Sequence, residues 1–115
     1  MRCPTLKRPS EFELVYSQGR KRAGRGLVLF HLASASEPRV AFVASRKVGG
    51  AVARNRAKRL MREAFRQVQA GDPTSRGWLV MVARREIVEL KSGQVAESLR
   101  ALLAQSTIDS ESSLS

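Results

Sequence analysis

Apolar positions recur in this chain with two periods. Phe12, Val15 and Tyr16 are spaced three and four apart, one face of a helix running from about Glu11 to Gln18. Ser10 and Glu13 have capping-box spacing at its start, and Gly19 stops it. Leu27–Leu32 and Val40–Ala44 are β-type runs, and Ser34–Pro38 between them predicts a hairpin loop. Gly49-Gly50 then breaks the chain, and the longest helical pattern follows over Val52–Val68. At about 100° per residue, Ala57, Leu60, Met61, Ala64, Phe65 and Val68 share one arc of it. Gly71–Gly77 predicts a loop. Trp78–Ala83 is apolar throughout, as in a strand buried on both faces. Ser92 predicts the cap of a last helix with Val95, Leu99, Leu102 and Leu103 as its core stripe.

The predicted order is therefore helix, strand, strand, helix, strand, helix, with room for a further short strand in the basic linker Arg20–Arg25. Mixed order with few strands argues an α+β fold: one small central sheet covered by helices. Met1–Pro9 is expected to be a flexible basic arm, residues 10–105 a single α/β domain, and residues 106–115, rich in serine, a disordered tail.

Charge changes the picture more than composition does. Hydrophobic residues make up 43% of the 115 positions, ordinary for a globular domain, but 21 basic residues oppose 10 acidic ones, a net charge of +11. Such an excess repels itself in the folded state unless a polyanion neutralises it, which points to nucleic acid or an anionic membrane surface. The cations concentrate in residues 45–66, SRKVGGAVARNRAKRLMREAFR, with Glu63 the one acid. On the helix, Lys58, Arg59, Arg62 and Arg66 lie opposite the apolar arc, with Asn55 among them, Arg54 starting the stripe and Arg56 near its edge. Arg46 and Lys47 extend the patch off the helix. Arginine dominates, and its planar fork suits phosphate. A charged helix face is also often only a solvated one.

Candidate catalytic groups are sparse. The single histidine, His31, sits in a strand pattern without an evident partner, and the single cysteine, Cys3, lies in the arm and excludes an intrachain disulfide. No histidine or cysteine pair has metal-ligand spacing, and Gly49-Gly50 lacks the Gly-Lys-Ser/Thr ending of a phosphate-binding loop. No catalytic residue and no metal site is expected in the protein. No apolar run is long enough to span a bilayer, and the N-terminus lacks a signal-peptide pattern, so a cytoplasmic protein is expected. Phe12, Tyr16 and Phe30 are either core or a platform on which unpaired bases stack.

The run Lys47–Arg66, KVGGAVARNRAKRLMREAFR, resembles the signature of the protein subunit of bacterial ribonuclease P, centred on Arg54-Asn55-Arg56 followed by Lys58-Arg59. Leu6-Lys7 with Phe12 and Tyr16 resembles the family's first helix, Val40–Ser45 the strand leading into the motif, and Leu79–Arg84 the final strand. The likeness covers roughly residues 5–105. It departs at Gly50, where many members have Asn, and at Tyr16, where others have Phe.

The resemblance implies a two-layer α/β sandwich whose basic helix joins two parallel strands by a left-handed crossover, where general rules favour a right-handed one. It implies an accessory subunit of an endoribonuclease that removes the 5′ leader of precursor tRNA. A catalytic RNA would carry the chemistry, with Mg²⁺ held mainly by RNA and one protein per RNA. Arg54, Asn55, Arg56, Lys58, Arg59 and Arg62 would face the catalytic RNA. Phe12, Tyr16, Phe30, Ser45, Arg46, Lys47 and Arg84 would line a cleft for the single-stranded leader. The alternatives are a ribosomal or other structural RNA-binding protein without a nuclease role, a membrane-surface protein, and a self-sufficient protein nuclease.

Overall fold

The computed structural model describes residues 5–6, 8–32, 38–71 and 77–114, with residues 70–71 and 105–114 as backbone alone. In chain order the elements are α1 (Pro9–Gln18), β1 (Arg20–Ala23), β2 (Leu27–Leu32), β3 (Arg39–Val43), α2 (Ala51–Gly71), β4 (Trp78–Ala83), a short 3-10 helix (Arg85–Glu89) and α3 (Ser92–Leu114). The strands form one mixed sheet in the order β1-β2-β4-β3. β2 is antiparallel to β1 and β4, and β3 is parallel to β4. The basic linker does carry the extra strand, β1.

The expected hairpin between Leu27–Leu32 and Val40–Ala44 does not form. β4 lies between those strands, with Phe30 opposite Val80 and Ala41 on Val80's other side. The reason lies in β4 itself: a strand apolar on every residue needs neighbours on both edges and cover on both faces. Residues 33–37 and 72–76, the two predicted loops' centres, lie outside the described residues.

Strand alternation separates two cores. On one face Leu27, Leu29, Val40, Leu79 and Met81 pack against Ala57, Met61, Ala64, Phe65 and Val68 of α2 and against Val95, Ala96, Leu99 and Leu102 of α3. The apolar arc of the sequence is thus the buried side of α2, with Leu60 half-buried at its margin. On the other face Val15 of α1 and Leu6 cover Leu32, Ala41 and Val80. The sandwich of sheet and α2/α3 carries α1 as a partial third layer.

Two helix starts differ from expectation in the same way. α1 begins at Pro9, whose fixed φ and missing N–H suit a first helical position. The Glu11 carboxylate, not Glu13, accepts from the cap residue's N–H, that of Arg8, at 2.9 Å. α3 has Lys91 before its first turn, with Gln94 Oε1 accepting from the Lys91 N–H at 2.9 Å. Ser92 therefore does not cap; its hydroxyl accepts from Gln67 Nε2 of α2 at 3.3 Å. In each case the acceptor three residues into the helix does the capping.

Leu6 is buried and donates its N–H to the Val40 carbonyl at 3.1 Å, and Thr5 forms a parallel bridge to Val40, so this part of the arm borders β3. α3 runs from Ser92 to Leu114, and no Gly or Pro interrupts it after Gly93.

Candidate RNA-binding surfaces

Register places most of the expected cleft residues on the α1 face. Residues opposite one another in a ladder point to the same side, so Lys21, Phe30, Val80 and Ala41 form one transverse row. Ala23, Val28, Val82 and Val43 form the next. Continuing the alternation, Arg84 follows Val82 and Ser45 follows Val43 at the ends of the parallel strands, where the Arg46-Lys47 turn begins. α1 crosses β1, β2 and β4.

Phe12, Tyr16 and Phe30 form one aromatic cluster at the α1 side of this surface. Tyr16 meets Phe30 edge-on with centroids 4.8 Å apart, and Phe12 lies 6.4 Å from Tyr16. Phe12 and Phe30 are half-buried against the second core, whereas Tyr16 is 42% exposed. Phe12 and Phe30 are thus the covered base of the cluster, and Tyr16 is its exposed member. Partial burial pushes the Tyr16 phenol above its usual pKa, so it remains a neutral donor at physiological pH.

The cations at the other end are exposed, and Arg84 is pre-positioned. It donates from Nη1 to the Gly24 carbonyl at 3.3 Å and its Nε lies 3.3 Å from Glu86 Oε1. Glu86 also accepts from the Gly26 N–H at 3.3 Å. Its own backbone N–H, that of Gly26 and the charges of Arg84 and Arg25 together hold its pKa below the usual carboxylate range. Ser45 Oγ accepts from the Lys47 N–H at 3.3 Å, tightening the turn, and Arg85 Nε donates to the Lys47 carbonyl at 3.4 Å. Gly49 has φ of 145°, and a Cβ there would lie 2.9 Å from the Ala53 Cβ, so this position needs glycine. At Gly50 a Cβ would meet nothing within 4 Å, so the backbone there leaves room for a side chain.

The second expected surface lies across the sheet, on the outer side of α2. Asn55, Arg56, Arg59 and Arg62 are exposed, and Arg54 and Lys58 are half-buried. Two of the arginines are held by the fold: Arg56 Nε donates to the Val88 carbonyl at 3.3 Å, and the Arg62 guanidinium lies 5.9 Å from the centroid of the Phe42 ring. The Arg54 Nε is buried and makes no hydrogen bond. The residues expected to meet the leader and those expected to meet the catalytic RNA therefore occupy opposite faces, joined through the Ser45–Gly50 turn. Sequence reasoning missed Lys21, whose Nζ lies 5.9 Å from the Phe30 ring centroid.

The family model for ribonuclease P matches residues 1–107. The chain belongs to the ribonuclease P protein family. The ribonuclease P protein component of Caldanaerobacter subterraneus subsp. tengcongensis is 34% identical over 108 residues, covering 92% of this chain and 91% of that protein. The one from Pelotomaculum thermopropionicum is 37% identical over 105 residues, covering 90% and 93%. Among solved structures, the ribonuclease P protein from Thermotoga maritima aligns with a TM-score of 0.72 at 26% identity, covering 88% of this chain and 96% of its own. The Staphylococcus aureus protein, at 21% identity and a TM-score of 0.68 with 90% and 94% covered, shares the fold. As a ribonuclease P protein component, the chain is part of an endoribonuclease complex that processes tRNA, and it associates with the RNA of that complex. Among the described residues no helix is long and apolar enough to cross a membrane.

Proposed function

We propose that the protein uses its two faces for two RNAs. The exposed side of α2, with Arg54, Asn55, Arg56, Lys58, Arg59 and Arg62, docks on the catalytic RNA. The α1 face, with Phe12, Tyr16, Phe30, Ser45, Arg46, Lys47 and Arg84, holds the single-stranded 5′ leader of precursor tRNA. The observation that carries this reading is the exposed Tyr16 ring set edge-on against Phe30 on the α1 face of the sheet, from which strand alternation continues to Arg84 and Ser45. An aromatic platform beside cations suits a splayed strand, because stacking accepts any base and cations follow the backbone. A duplex offers no unstacked base to such a platform. The outer side of α2 is a rigid row of cations without aromatics, which suits the phosphates of a folded RNA.

The complex hydrolyses a phosphodiester by metal-assisted attack of water, with the RNA carrying the chemistry and most of the Mg²⁺. In this reading the protein's own part is binding and charge screening. Only the precursor has a leader to fill the cleft, and that difference gives preference for precursor over mature tRNA. One protein per RNA, in the cytoplasm, completes the reading.

Reconstitution tests it. Added to a bacterial ribonuclease P RNA at low Mg²⁺, the chain should restore cleavage of precursor tRNA at the mature 5′ end, and the chain alone should cleave nothing. Cleavage by the purified protein without RNA would overturn the division of labour.

A further inference from the structure

We infer that Lys21 is the distal clamp of the leader track, taking the backbone phosphate of a leader nucleotide that lies beyond the aromatic cluster. The inference rests on the leader reading above and extends it across the sheet to β1.

Lys21 stands opposite Phe30 in the β1–β2 ladder and on the same face. It is exposed, on an edge strand, and its ammonium lies 5.9 Å from the Phe30 ring centroid. That contact is at the outer limit for a cation over a ring, and at an exposed site it is weak. A lysine held so weakly leaves the ring readily for a phosphate, and its departure uncovers Phe30 beside Tyr16. Lys21 has no acid opposite it: its row continues through Phe30, Val80 and Ala41.

The position gives the track a direction. The Ser45–Lys47 turn leads directly into α2, which faces the catalytic RNA, so the leader nucleotides nearest the scissile bond belong at Ser45 and Arg84. Lys21 is two rows further along the strands and two strands across from β4. At about 3.3 Å per residue and 4.8 Å per strand, the diagonal from Arg84 to Lys21 is about 16 Å. Between the two cations lie Val28, Val82 and Phe30, an apolar floor. A single strand crossing it would have phosphates gripped at both ends and bases stacked near the far end.

The test uses the reconstituted holoenzyme and precursor tRNAs with leaders of graded length, from one nucleotide upward. For the wild-type protein, affinity should rise with leader length to a plateau. With Lys21→Ala, short-leader affinities should be unchanged and the plateau about three- to tenfold lower. Its log–log salt slope on the longest leader should be smaller by about 0.7, the share of one single-strand phosphate. Lys21→Arg should restore the plateau. Coincident curves for wild type and Lys21→Ala at every length would overturn the clamp while leaving the leader cleft standing. An equal loss at every length, leaderless tRNA included, would also overturn it. A wild-type affinity that does not change with leader length would remove the leader reading itself, and the clamp with it.

Discussion

Tyr16 shows how much a single side chain's surroundings decide. Helical spacing put it on the same face as Phe12 and Val15, where core is the plain reading and a stacking platform the alternative. Only the cross-sheet partner Phe30 fixes it at the rim, half-covered with its ring still accessible. It is the sole tyrosine, so its ionisation can be followed alone. The tyrosinate absorbance of the native protein should rise with a midpoint above 10, and that of the denatured chain at about 10. Equal midpoints would mean the ring is not desolvated. Glu86 gives the opposite sign. Its folded pKa lies below the ordinary 4.5, so its contribution to stability is present above that value and is lost as pH falls through the folded one. The thermal midpoint of Glu86→Gln should therefore fall less steeply than that of wild type below about pH 4.5. Parallel curves would show that the Gly26 and Arg84 contacts carry no pH-dependent stability.

Elements were legible where one period dominated. α2 and β4 were readable because an uninterrupted helical arc and an uninterrupted apolar run each allow one structure. The β2–β3 pairing was misread because a short, turn-rich connection favours a hairpin locally, and only β4's need for two neighbours overrides it. The cap positions were misread because Ser10 and Ser92 are better cap residues than Arg8 and Lys91. The structure instead keeps the acceptors Glu11 and Gln94, and adds Pro9 to α1 and an inter-helix bond from Gln67 to Ser92. The glycines divide on similar grounds. Gly26 has φ of 84°, donates to Glu86 and accepts from the Arg84 N–H, and a Cβ there would lie 2.6 Å from the Leu90 Cδ1. Gly26→Ala should cost about 1–3 kcal/mol in denaturant unfolding. Gly50→Asn, facing open space, should stay within about 0.5 kcal/mol of wild type. Equal losses at the two would refute the turn geometry described for them.

For the whole molecule, the opposition of α1 and α2 across one sheet matters more than the net charge. Composition required a polyanion and could not divide it. The motif around Arg54-Asn55-Arg56 indicated the family, and two surfaces were inferred from that likeness. Their placement on opposite faces, joined by the Ser45–Gly50 turn, was not legible, because it depends on which strand lies next to which. Lys21 was hidden for the same reason: in the sequence it is one more cation in a basic linker, and only the ladder brings it beside Phe30. In the proposed arrangement, precursor preference is a property of one face. The most direct measurement is the affinity of the reconstituted holoenzyme for precursor and for mature tRNA, with wild-type protein and with Tyr16→Ala. The account predicts tighter binding of precursor by wild type. It predicts that Tyr16→Ala weakens precursor binding by about 1–3 kcal/mol, the value of one base stack, and leaves mature tRNA unchanged. Equal wild-type affinities for the two RNAs, or an equal loss for both in the variant, would contradict it.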